Sequence, residues 1–197
     1  RVVIQGFGNV GKAAARFFEE RGAILIATCD KAGAIYDPKG ICVATLTKFK
    51  DSGRSVQDSG LGKSLTHEDM LQMESDIFIP SARPDVFTVE NQHWLKTKLV
   101  LEGANISITH EAAEKMCDRG IVIVPDVIAN SGGVICAATE YQGMSEKQAF
   151  ERIEATISRN TGEVLERTLK HGQYPHAAAI MMAKEKLKEA MSYRANM

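Results

Sequence analysis

Val2-Val3-Ile4-Gln5-Gly6-Phe7-Gly8-Asn9-Val10-Gly11 decides how the rest of this chain is read. A short apolar run stops at a turn with glycines at positions 6, 8 and 11, as a buried parallel strand does. Past the turn, Val10, Ala13, Ala14, Phe17 and Phe18 recur at helical spacing, and Gly22 closes the segment. A second apolar run, Ala23 to Cys29, ends at Asp30. Strand, glycine turn, helix and strand thus form one βαβ unit.

A G-x-G-x-x-G pattern is weak alone and specific where it follows a strand and opens a helix, as here. Gly6 permits the tight turn. Gly8, without a side chain, lets a pyrophosphate approach the backbone, and Gly11 lets the helix lie close to the sheet. The helix N-terminus supplies unpaired N–H groups and partial positive charge to phosphates. Asp30 falls 19 residues after Gly11, where a carboxylate accepts the ribose hydroxyls of an adenosine and repels a 2′-phosphate. The expected cofactor is therefore NAD. Lys31, a phosphate partner beside it, keeps NADP open.

Farther along, Asp37-Pro38-Lys39-Gly40 is a β-turn signal between two short apolar pieces and predicts a small hairpin. A helix is expected to start near Thr45 and run to Lys50, a loop to span Ser52 to Lys63, and another helix to begin at Thr66. Strands are expected at Asp76–Pro80, Leu99–Glu102 and Ile121–Val124. Thr109 is expected to cap a helix reaching Arg119. After Pro125 the pattern is helical. Ser145 and Gln148 form a capping box, Phe150, Ile153, Ile157, Val164 and Leu165 mark one long helix, and Ile180, Ala183, Leu187 and Ala190 stripe a last one. The predicted fold is α/β: a Rossmann-type, doubly wound, mainly parallel sheet with C-terminal helices at about 145–197.

Composition narrows the function classes. The 197 residues carry 24 basic and 25 acidic side chains, a net charge of −1, so nothing points to nucleic acid. No apolar run is long enough to span a membrane. Cys29, Cys42, Cys117 and Cys136 are scattered, which suits a reducing cytoplasm and offers no metal-ligand spacing. The five histidines form no constellation, so no catalytic residue is assigned. Gly132-Gly133 reads either as a second place where a ligand meets backbone or as a plain connector. The opening Arg1-Val2-Val3-Ile4, directly on a strand, predicts a piece of a longer chain.

Three stretches taken together resemble a known family. They are Gly6-Phe7-Gly8-Asn9-Val10-Gly11, Glu102-Gly103-Ala104-Asn105 and Pro125-Asp126-Val127-Ile128-Ala129-Asn130-Ser131-Gly132-Gly133-Val134. In this order they resemble the glutamate/leucine/phenylalanine/valine dehydrogenases. Asp30-Lys31-Ala32-Gly33-Ala34-Ile35-Tyr36-Asp37-Pro38-Lys39-Gly40 looks most like the glutamate branch. The resemblance implies reversible oxidative deamination of an L-amino acid to a 2-oxo acid and ammonium with a nicotinamide cofactor. It also implies that residues 1–197 are the cofactor domain. The catalytic lysines and aspartate would then lie in an upstream substrate domain, so this chain would bind cofactor without turnover, and the full protein would be a homo-oligomer through that domain.

By the same resemblance, Gly8, Asn9 and Val10 meet the pyrophosphate and Asp30 the adenosine ribose. Ser81 and Ala82 pass the nicotinamide ribose, and Asn105 and Asn130 lie near the nicotinamide and the substrate's amino-acid head. Two departures stand out. Glutamate-specific relatives place a serine where this chain has Ala137, and alanine donates no hydrogen bond to a side-chain carboxylate. Thr139 offers the alternative hydroxyl. Arg83-Pro84 also replaces small or acidic residues. The expected substrate is L-glutamate; the alternatives are a branched-chain or other apolar amino acid, and a non-catalytic NAD-sensing module.

Overall fold

In the computed structural model, which describes residues 1–195, the chain divides into two compact units. The first is Arg1–Ile123 and the second begins at Val124. The opening stretch forms β1 (Val2–Gln5), α1 (Asn9–Glu20) and β2 (Leu25–Asp30). There follow β3 (Gly33–Tyr36), α2 (Val43–Asp51), β4 (Lys63–Leu65), α3 (His67–Leu71), β5 (Ile77–Pro80), β6 (Leu99–Leu101), α4 (His110–Asp118) and β7 (Val122–Val124).

The strands make one seven-stranded sheet in the order β4-β3-β2-β1-β5-β6-β7. β1 pairs in parallel with β2 and with β5, and β5 in parallel with β6. The β2–β3 and β3–β4 pairs are antiparallel. This is the expected Rossmann-like α/β fold, with an antiparallel edge. The chain leaves β1 in one direction to β2 and later returns to its other side as β5. Open α/β sheets bind ligands at such a reversal, outside the carboxyl ends of the strands.

Successive strand side chains point to opposite faces and so feed two cores. Val2, Ile4, Leu25, Ile35 and Ile79 pack with Ala15 of α1 and with Val43 and Leu46 of α2. Val3, Ile26, Phe78, Val100 and Ile123 pack with Met70 of α3 and with Ala112, Ala113 and Met116 of α4.

Several local expectations are corrected. The hairpin turns at Lys31-Ala32, between β2 and β3, because Asp30 Oδ1 accepts the Ala32 N–H at 2.9 Å. The Asp37–Gly40 turn instead leads into α2, and Ile41 N–H bonds back to the Leu25 carbonyl at 2.8 Å. Ser52–Lys63 is not all loop: Val56–Ser59 is a 3₁₀ turn and Lys63 starts β4. That edge strand escapes notice because its Lys63 and Ser64 face solvent and break any apolar alternation. Thr109 precedes α4 as expected, yet its side chain makes no capping hydrogen bond.

The second unit is helical: α5 (Asp126–Ala129), α6 (Gly132–Tyr141), α7 (Glu146–His171) and α8 (Pro175–Ala195). Ser145 and Gln148 form the expected capping box, and Gly172 ends α7 in the left-handed conformation at φ 65°. In α8 Pro175, Ala178, Ala179 and Met182 are buried, whereas Ile180 and Leu187 of the predicted stripe are exposed.

Candidate functional site

The turn after β1 is built from the two properties that only glycine combines. Gly6 has φ +102°, and a Cβ there would stand 2.6 Å from Ala82 Cβ. A Cβ on Gly11 would stand 1.8 Å from the Gly6 carbonyl oxygen, so α1 is pressed against the turn. Gly8 is different: a Cβ there would meet nothing within 4 Å. Its backbone borders open space, and Gly8 makes no side-chain cap on α1, whose first turn carries no acidic residue. Among the described residues, no side chain caps the N–H groups at the start of α1. Phe7 buries its ring in the core below, which anchors the turn.

This turn opens into a cleft of about 870 Å³ along the carboxyl ends of β1, β2 and β5, a size typical of small-molecule sites. Gly6, Phe7, Gly8, Asp30, Ser81 and Ala82 of the predicted set line it together. Asn9, Val10 and Gly11 continue from the turn into α1 without lining it. Asn105 is exposed just beyond β6. In the second unit, Asn130 ends α5 half-buried and Ala137 is exposed on α6.

The β1 and β5 ends are tied together. Ser81 Oγ donates toward the carbonyls of Gln5 and Gly6, both at 3.0 Å, and Gln5 Oε1 accepts the Ala82 N–H at 3.3 Å. The thiol of Cys29, which also lines the cleft, is pushed up to about 12 by burial, against a hydrogen bond from the Gly6 backbone, and stays protonated at neutral pH. Beyond β6, the buried Glu102 of the second motif accepts Ser107 Oγ at 2.7 Å and the Ile108 N–H at 3.2 Å. Ile106, between them, holds a left-handed φ of 51°, an unusual conformation for a β-branched residue.

At the β2 end, sequence reasoning found Asp30 and missed what surrounds it. Oδ1 accepts from Ala32 N–H and from Ser55 Oγ at 3.1 Å. Oδ2 accepts from Val56 N–H at 3.0 Å and from the Lys50 ammonium. The Asp30 carbonyl accepts from His67 Nε2 at 2.7 Å. The carboxylate is only 8% exposed. Burial opposes its charge, but the Lys50 ammonium, the Ala32 and Val56 amides and the Ser55 hydroxyl outweigh burial and hold it down at about 2. A carboxyl so depressed stabilises the fold fully above its unfolded value near pH 4 and loses that contribution as the pH falls towards about 2. Asp30→Asn is therefore expected to lower the melting temperature at pH 6 by about 3–6 °C. The gap should close at pH 2; a gap equal at both pH values would contradict the ion-pair account.

The model of the glutamate/leucine/phenylalanine/valine dehydrogenases matches residues 1–195. The chain belongs to this family. Among the dehydrogenases it resembles, a cryptic catabolic NAD-specific glutamate dehydrogenase of Bacillus subtilis is 33% identical over 200 residues. That match covers 98% of this chain and 47% of the relative. An NADP-specific glutamate dehydrogenase of Saccharolobus shibatae is 41% identical over 141 residues, 72% of this chain and 33% of the relative. The crystal structure of a hetero-hexameric glutamate dehydrogenase from Thermus thermophilus, in its Leu-bound form, superposes with a TM-score of 0.83 at 27% identity. It is matched over 98% of this chain and 47% of its own. The chain thus spans half or less of the length of these relatives. The three stretches that carry the family resemblance fall on the β1–α1 turn, the loop after β6 and the α5–α6 segment.

Gly132, in the third motif, has an inward role within its unit. A Cβ there would lie in ordinary contact with Ile153 Cγ2 at 3.6 Å and Ile157 Cδ1 at 3.9 Å, whereas one on Gly133 would meet nothing. Thr139, the alternative hydroxyl near Ala137, is fully buried and donates to the Ile135 carbonyl at 2.7 Å. It serves its own helix.

Proposed function

We propose that this chain is the cofactor-binding part of an amino-acid dehydrogenase that reversibly converts L-glutamate to 2-oxoglutarate and ammonium. The observation that carries this reading is the cleft that joins the glycine turn to the ends of β2 and β5, at the reversal of the strand order. The bare backbone at Gly8 and the uncapped start of α1 suit a pyrophosphate. On this reading Gly6 to Gly11 carry the pyrophosphate and Asp30 marks the adenosine end. Ser81 and Ala82 flank the nicotinamide ribose, while Asn105 and Asn130 serve the nicotinamide and the amino-acid head. The preferred dinucleotide is NAD. When bound it supplies the hydride acceptor; the chain's own residues fix its position. The acids and bases of the reaction belong to a further part of the protein, so this segment alone is inactive.

The full protein is proposed to work in the cytoplasm, which suits four cysteines that remain free. No helix among the described residues is long and apolar enough to cross a membrane. Assembly into a homo-oligomer through the further part is part of the same proposal.

A second reading, an apolar amino acid as substrate, draws on two observations: alanine stands at position 137, and the Thr139 hydroxyl is already bonded within α6. Assaying full-length protein against a panel of L-amino acids with NAD separates the two. Glutamate should be the best substrate, and Ala137→Ser should raise its kcat/KM by about tenfold through one added hydrogen bond to the side-chain carboxylate. Strong leucine or valine turnover with little glutamate turnover would refute the glutamate assignment and favour the apolar one.

A further inference from the structure

We infer that Glu102 is a positioning residue: through Ser107 and Ile108 it holds Ile106 in a left-handed turn and so fixes the neighbouring Asn105 at the nicotinamide end of the cofactor site. The inference rests on the cofactor-binding reading above. It begins from backbone that its own side chains do not favour. Asp85 and Ile106 are the two non-glycine residues with left-handed backbone among the described residues, each at φ 51°. A β-branched residue takes that conformation only where its surroundings impose it. Burial does not impose it, because Ile106 keeps 63% of its surface exposed.

Hydrogen bonds impose it. Glu102, the residue after β6, is fully buried, and its Oε2 accepts Ser107 Oγ at 2.7 Å and the Ile108 N–H at 3.2 Å. These bonds draw the chain back on itself within six residues, and the turn falls on Asn105 and Ile106. The far side is tied to the loop after β5. The Ile106 carbonyl accepts the Asp85 N–H at 2.9 Å, and the Ser107 carbonyl accepts the Val86 and Phe87 N–H groups at 2.8 and 3.1 Å. The near side is fixed as well: the Ala104 N–H donates to the Pro80 carbonyl at 2.9 Å. A Cβ on Gly103 would stand 3.1 Å from Ser81 Cβ and 3.3 Å from Val10 Cγ1, so this side lies close against the end of β5 and the start of α1. Asn105 is thus set between two anchored flanks, and Asp85, at the other end of the shared bond, lines the cleft. A carboxyl group is costly to bury; what this one contributes in return is the pair of bonds that close the turn.

The test is calorimetric titration of NADH, and of ADP-ribose, which lacks the nicotinamide, into full-length protein. The samples are the wild type, Glu102→Met, Ser107→Ala and the double variant Ser107→Ala with Ile106→Gly. Glu102→Met should weaken NADH by about tenfold and Ser107→Ala by about fivefold, while ADP-ribose stays within about twofold of wild type. Glycine takes a left-handed backbone without strain, so the double variant should bring NADH back to within about twofold of wild type. Should Glu102→Met not fold, Ser107→Ala and the double variant decide by themselves. Equal weakening of both ligands, unchanged binding of NADH, or a double variant no better than Ser107→Ala would overturn the inference while leaving dinucleotide binding intact. Binding of neither ligand by the wild type would reject the cofactor-binding reading and this inference with it.

Discussion

Gly11→Ala is expected to destabilise the protein by about 3 kcal/mol or more, lowering its melting temperature by about 10 °C. The new methyl carbon would lie 1.8 Å from the Gly6 carbonyl oxygen, 2.9 Å from its carbon and 3.1 Å from Ser81 Oγ. The nearest of these atoms are backbone, so no rotamer change relieves the clash; α1 must lift from the end of β1. Lifting it disturbs the core that α1 shares with Val2, Ile4 and Ile79, and pulls on the hydrogen bonds that Ser81 makes to Gln5 and Gly6. Urea unfolding followed by circular dichroism checks this. A midpoint within the error of wild type would mean that the turn is looser than its geometry requires.

The elements around that turn were the most legible in the sequence. Strand, glycines and helix are adjacent along the chain, and each glycine has a local reason, so pattern alone located them. The same holds for the Ser145–Gln148 cap, a contact across three residues. Legibility failed where the deciding contact is distant or concerns exposed backbone. The reversal at Lys31-Ala32 depends on the Asp30 carboxylate and carries no Pro or Asn-Gly signal, whereas Asp37-Pro38 carries a strong one at a turn that makes no hairpin. β4 exists because β3 offers it an edge, not because its own residues alternate. Lys50, Ser55, Val56 and His67 converge on Asp30 from 20 to 37 positions away through α2, a 3₁₀ turn and α3. No spacing rule reaches that far. Asp30 itself was visible, but the donors that fill its acceptor sites were not, and they change what the residue can do. In α8, the stripe beginning at Ile180 is visible as a pattern, while the residues that pack are Ala178 and Ala179, whose small side chains carry little apolar signal, and Met182, which lies off that stripe.

Gly8 separates binding from folding, because the protein leaves open space where its Cβ would be. Its backbone, at φ −90° and ψ −158°, is extended and not left-handed, so no positive-φ strain opposes a side chain there. Gly8→Val should therefore still fold, losing about 1 kcal/mol because valine is a poorer N-cap than glycine. The added methyl groups would occupy the approach that a pyrophosphate needs to reach the start of α1. The measurement that tests the central claim most directly is calorimetric titration of NADH into wild-type and Gly8→Val protein, both folded at the temperature of the titration. The account predicts one site per chain in the wild type and an affinity about 100-fold weaker in the variant. Equal binding by both proteins, or no binding by the wild type, would contradict it.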